Sequence, residues 1–141
     1  MRVDEQINIT CEWTFTDLVT GQVYGPFSNA VAPTGAASVA ALVALISAPY
    51  LVIGDDTAAG WTITEVFRKA CSSVVASGAT VTFTTQLLGS EANSASNHEK
   101  WSIFTGGTDV AGTGTMLNLL RAAFSKTSSM VLSVEAAFTF S

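Results

Sequence analysis

The chain has 141 residues, of which 48% are hydrophobic and only 12% charged, with six basic against eleven acidic side chains and a net charge of −5. That length suits one domain with a core of its own. The basic residues are scattered at Arg2, Arg68, Lys69, Lys100, Arg121 and Lys126, so no basic stripe gathers phosphates and a nucleic-acid partner is excluded.

The elements follow one another at short intervals. The stretch 7-INITCEWTF-15 alternates cleanly, with Ile7, Ile9, Cys11, Trp13 and Phe15 on one side and Asn8, Thr10, Glu12 and Thr14 on the other. A period of two is the mark of a half-buried strand. A turn over 17-DLVTGQ-22 centres on Thr20-Gly21, and 23-VYGPFSNAV-31 returns as a second strand. Gly25-Pro26 places that strand at an edge or at a bulge. Together these pieces predict an N-terminal hairpin over residues 5–31.

In 34-TGAASVAALVALIS-47, Val39, Leu42, Val43 and Ile46 recur at helical spacing, and Pro49 stops the run. A helix over residues 35–47 is expected. Its other face is Ala and Ser rather than charge, so it should be covered on more than one side. The apolar stretch 36-AASVAALVALISAPYLVI-53 contains Ser38, Ser47 and Pro49, which argues against a membrane span. The opening MRVDEQ is too polar for the apolar core of a signal peptide.

A body over residues 50–141 follows. It begins with a buried strand at 50-YLVIG-54 and a polar turn at 55-DDTAAG-60. A long hairpin is expected over residues 61–88, turning at Ser77-Gly78. Polar loops at 89-GSEANSASN-97 and 105-TGGTDVAGTGT-115 flank a strand at 98-HEKWSIF-104. Strands at residues 116–124 and 130–140 close the chain. In the last of these, Met130, Leu132, Val134, Ala136, Phe138 and Phe140 face one way. The sum is a single mainly-β domain, an antiparallel β-sandwich with one α-helix packed against it.

Catalytic chemistry finds little footing. His98 is the single histidine, no G-x-S-x-G elbow is present, and His98 beside Glu99 at the end of a polar loop reads as a surface residue. One histidine and two separated cysteines, Cys11 and Cys71, cannot close a zinc site. Free buried thiols are the simpler reading of the two cysteines. Asp55-Asp56 lacks the spaced ligands of a calcium loop. No catalytic, metal or cofactor-binding residue is therefore assigned, and no cofactor is expected. Low charge with a mean hydropathy of +0.42 points instead to a surface covered by neighbours in an assembly.

Four segments, in order, carry a resemblance: 51-LVIGDDTA-58, 65-EVFRKACSSVVASGATVTF-83, 90-SEANSASNHEKWSIF-104 and 117-LNLLRAAFSKTSSMVLSVEAAFTF-140. They resemble a group of small structural proteins of tailed-phage virions, in tail, collar or fibre-type domains. Their order covers about two-thirds of the chain. Asp-Asp stands where such proteins usually carry Thr-Gly, and 102-SIF-104 stands at their Gly-Leu-Phe position. The resemblance implies a non-enzymatic virion protein, assembled in the host cytoplasm with copies of itself and other virion proteins. A capsid decoration protein and a carbohydrate- or receptor-binding tip module are the alternatives. Trp13, Tyr24, Phe27, Val39, Leu42, Val43, Ile46 and Trp101 are the candidate interface residues.

Overall fold

The computed structural model describes residues 9–31, 48–77 and 80–140. The described strands are β1 (Ile9–Asp17), β2 (Val23–Val31), β3 (Tyr50–Gly54), β4 (Glu65–Ala70), β5 (Ser73–Ser77), β6 (Thr80–Leu87), β7 (His98–Thr105), β8 (Thr115–Met116), β9 (Asn118–Phe124) and β10 (Leu132–Phe140). They form two antiparallel sheets, sandwich-like, with no helix among the described residues. The helix expected over residues 35–47 lies outside those residues.

The first sheet runs β2-β1-β10-β6-β5 and the second β4-β3-β7-β9, with β8 beside β7. Alternation fixes the register of the first sheet. Trp13 lies opposite Ala136, which lies opposite Phe83. A small side chain between two large ones lets the row fill space without overlap, as close packing demands. Cys11, Phe138 and Val81 form the next row. The outward face carries hydroxyls and carboxylates, among them Thr82, Thr84, Glu12 and Glu135.

The sheets meet face to face through aromatic side chains. Phe15 of β1 sits 4.6 Å from Trp101 of β7 and 5.0 Å from Phe124 of β9, centroid to centroid. Trp13, Phe15, Phe83 and Trp101 are all fully buried. Burying each such ring contributes about 1.5–3 kcal/mol, so this cluster is the main cohesive element.

Of the hairpin expected over residues 5–31, the described residues 9–31 pair as β1 and β2, with a bulge in β2. Trp13 pairs with Phe27 and Phe15 with Tyr24, so β2 carries one extra residue there. Gly25 absorbs it at φ 104°, where a Cβ would come 2.8 Å from the Trp13 carbonyl oxygen. Only glycine tolerates both the angle and that approach.

The expected long hairpin over residues 61–88 is corrected. Its first arm is two strands in different sheets. β4 pairs with β3 of the second sheet, and β5 pairs with β6 of the first. The chain crosses at Cys71-Ser72, where the Ser72 N–H and hydroxyl both donate to the Thr84 carbonyl, at 2.8 and 3.0 Å. That anchor changes the pairing partner within two residues.

The sheets also join at one corner, where β2 pairs with β9 through Ala30–Leu119 and Val31–Asn118. Asn118 makes that departure possible. Its Oδ1 accepts the Ile103 N–H at 2.8 Å, standing in for a strand carbonyl, and the Ser102 hydroxyl donates to its backbone oxygen.

Candidate functional site

Among the described residues a cleft opens beside His98, and β5 has no strand on its outer side. The framework itself is set by cations. Of the six basic residues, Arg2 lies outside the described residues, and each of the others donates to a partner within the chain.

Arg68 stands on the outer face of the second sheet, opposite Val52. Its Nε and Nη2 grip both oxygens of Glu65, at 2.7 and 2.8 Å. Its Nη1 donates to the carbonyls of Thr108 and Thr113. The guanidinium also lies 5.5 Å from the Tyr50 ring and 5.6 Å from the Phe104 ring. One planar fork thus folds the loop 105–115 back over the sheet. The Arg68 hydrogen bonds hold the Glu65 carboxyl below its usual range.

Lys100 does the same for the loop 55–64. Its buried ammonium donates to Asp56 at 2.7 Å and to the carbonyls of Ala58 and Thr62. The hydrogen bond from Lys100, then the Thr64 N–H, pulls the Asp56 carboxyl down to about 2. Lys126, also buried, donates to the Leu88 and Thr127 carbonyls and to Asn93 Oδ1. Burial lowers its affinity for the proton. Lys69 pairs with Glu91 at 2.7 Å, and Arg121, exposed, donates to the Gly60 carbonyl. The two polar loops that composition marks as free, 89–97 and 105–115, are therefore tied down.

The loop 88–97 also covers His98, which is only 3% exposed. The expectation of a surface histidine is corrected. Its Nε2 lies 2.6 Å from the Ala92 carbonyl, and its ring meets Trp101 edge-on at 5.6 Å. A backbone carbonyl only accepts, so Nε2 carries the proton, and Nδ1 is buried with no partner. Ala92 takes φ 55° to present that carbonyl. A cleft of about 360 Å³ opens here, lined by Asp55, Phe67, Ser90, Asn93, Ser94 and His98 among others. Its polar rim could accept a small hydroxylated molecule. The Nε2–H is committed to Ala92, and the remaining basic nitrogen, Nδ1, is buried with no hydroxyl or thiol hydrogen-bonded to it.

The cysteines sit apart and free. Burial pushes the Cys11 thiol up to about 12 and raises that of Cys71 as well. Neither is poised as a thiolate. Among the described residues no group of three or more His, Cys, Asp or Glu side chains could hold a metal ion. No helix among them is long and apolar enough to cross a membrane.

The candidate interface residues divide. Trp13 and Trp101 are fully buried in the core, so neither offers surface to a partner. This corrects the expectation, because their size and apolar rows place them between the sheets. Tyr24 and Phe27 are half-buried, packed on Phe124 and Phe15 at 5.0 and 5.6 Å, with part of each ring at the surface. Val39, Leu42, Val43 and Ile46 lie outside the described residues.

Sequence reading missed several exposed apolar side chains. Leu18, Val19 and Val23 cluster at the tip of the β1–β2 hairpin, and Val75 stands 56% exposed on β5. β5 ends the first sheet, with β6 as its neighbour. The signal was available in principle: Ser73–Ser77 reads SVVAS, five residues with no charge and no proline.

Among the described residues the fold is all-β and sandwich-like. No family model, no curated protein and no solved structure matches the chain.

Proposed function

We propose that the chain is a non-enzymatic structural protein of a tailed-phage virion, assembling through protein–protein contacts in the tail, collar or fibre region. The observation that carries this reading is the edge of β5, uncharged and, among the described residues, without a strand on its outer side, with Val75 exposed on it. Such edges template pairing with another chain unless they are blocked. The immobilised loops add support, since a part of a repeating assembly must present a fixed outline. The phage setting itself rests on the four segments that resemble virion proteins, which supply β3 to β7, β9 and β10.

The test is copy number in purified particles, by quantitative mass spectrometry against the major capsid protein. About six or twelve copies, as a closed ring would hold, support the tail or collar placement. Copies on the order of hundreds, in keeping with capsid symmetry, favour a capsid decoration role. Absence from particles ends the virion reading. The cleft beside His98 favours a second reading, a receptor-binding tip that takes a sugar. Quenching or enhancement of tryptophan fluorescence by host glycans would test it, since Trp101 meets the His98 ring edge-on at 5.6 Å.

A further inference from the structure

We propose that β5 is a self-pairing edge: β5 of a second copy adds antiparallel to it, across a two-fold axis at Val75, and joins the two first sheets into one. The inference rests on the assembly reading above and names its surface and partner.

Geometry provides the opening. β5 has β6 on one side and, among the described residues, no strand on the other. The backbone N–H and C=O groups directed to that side are donors and acceptors in a row. Sequence selects the occupant. Read in either direction, Ser73–Ser77 is nearly the same: Ser-Val-Val-Ala-Ser. Antiparallel pairing about Val75 sets Ser73 opposite Ser77, Val74 opposite Ala76, and Val75 opposite its own copy. Every pair is like with like, hydroxyl with hydroxyl and apolar with apolar, and no charges are brought together. An isologous two-fold contact requires this self-complementarity, because one patch must serve both sides.

The faces agree as well. Val74 lies opposite Phe83 on the inner side and packs against the core, whereas Val75 lies opposite Thr82 on the outer side. Val75 is the large apolar side chain of this strand left exposed, and the two-fold covers it with its own copy. The devices that block an edge are absent from β5, which has no lysine, proline or charged residue. The far edge of the second sheet differs. β4 carries Glu65, Arg68 and Lys69, so self-pairing there would have to seat charges. At the other end of the first sheet, β2 is joined by β9.

The experiment is sedimentation equilibrium of the full chain, up to about 1 mM so that weak association is seen. It compares the protein with its Val75→Lys variant. Circular dichroism and melting temperature serve as the check that each variant folds. The expected result is a monomer–dimer equilibrium that Val75→Lys weakens about tenfold or more, because it places like charges opposite each other. In a Cys71→Ser background, Val75→Cys should give a disulfide-linked dimer on mild oxidation. A folded protein that stays monomeric throughout overturns the proposal. So does an oligomer that neither Val75→Lys nor the Val75→Cys cross-link affects. In the latter case self-association stands through another surface, and only the β5 assignment falls. A β5 dimer absent from virions would sink the phage reading alone.

Discussion

Asn118 and Cys11 meet across the interior of the sandwich, with the Asn118 amide donating to the Cys11 sulfur at 3.4 Å. The other end of the same side chain accepts the Ile103 N–H. One fully buried asparagine thus closes a gap in the β7–β9 pairing and touches the opposite sheet. Asn118→Leu keeps the bulk but strands the Ile103 N–H without an acceptor. The expected loss is about 1–3 kcal/mol, the cost of an unsatisfied buried donor. Urea denaturation of the two proteins measures it.

Cys11 itself should be inert in the folded protein. Its thiol is pushed up to about 12 by burial, and the sulfur is enclosed between the sheets. At pH 8 an aromatic disulfide reagent is expected to leave Cys11 unmodified until denaturant is added. Rapid reaction of Cys11 in the native protein, read by peptide mass mapping, would contradict the burial described for it.

Acid stability should depend on Asp56. Its folded pKa of about 2 lies below the ordinary aspartate value of 3.8, so the unfolded chain takes up the proton first. The stability this carboxylate contributes is therefore fully present above about pH 4 and is lost as pH falls toward 2. Asp56→Asn is expected to lower stability at neutral pH and to flatten the acid limb of the curve between those values. Melting temperatures across pH 2–6 read both effects.

Arg68→Lys should not be a conservative change. A lysine keeps the charge but cannot grip both Glu65 oxygens and two carbonyls at once. Loosening of the loop 105–115 is expected, with new proteolytic cuts near Val110, which is 65% exposed. Removing a hydrogen bond to a charged group costs about 1.5–3 kcal/mol, and the variant should lose stability on that scale.

Lys126→Met tests the corresponding clamp on the loop 88–97. The three oxygens that receive its ammonium would be left to find water. Hydrogen exchange should quicken in the loop 88–97 and at His98, while the strands of the first sheet stay protected. Unchanged exchange in that loop would mean the lysine does not hold it.

Much of the sandwich was legible because one face of each long strand is buried. β1, β6 and β10 alternate apolar and polar residues over most of their length, and their rows match across the sheet. The crossing at Cys71-Ser72 was not legible. Ile63, Val66, Phe67, Val74 and Val75 show no single period, because they belong to a loop and to strands of two different sheets. His98 was misplaced for a related reason. What buries it is the carbonyl of Ala92, and a backbone acceptor leaves no mark on residue identity. Lys100 and Lys126 hid in the same way, since most of their partners are main-chain oxygens. The edge at β5 was readable only once its neighbour was known, as SVVAS alone does not say which strands flank it.

The inward use of the cations has a consequence for how copies meet. Arg68, Lys100 and Lys126 are turned into the fold, while Glu12, Asp55, Asp109 and Glu135 remain exposed. Two molecules therefore approach as polyanions and repel at a distance. Raising ionic strength shortens that repulsion, since the screening length is about 10 Å at 0.1 M and about 3 Å at 1 M. Pairs sheltered from solvent are screened far less. Concentrated electrolyte should therefore drive copies together while scarcely softening the molecule itself, so that the ionic medium acts as a control on assembly separate from stability.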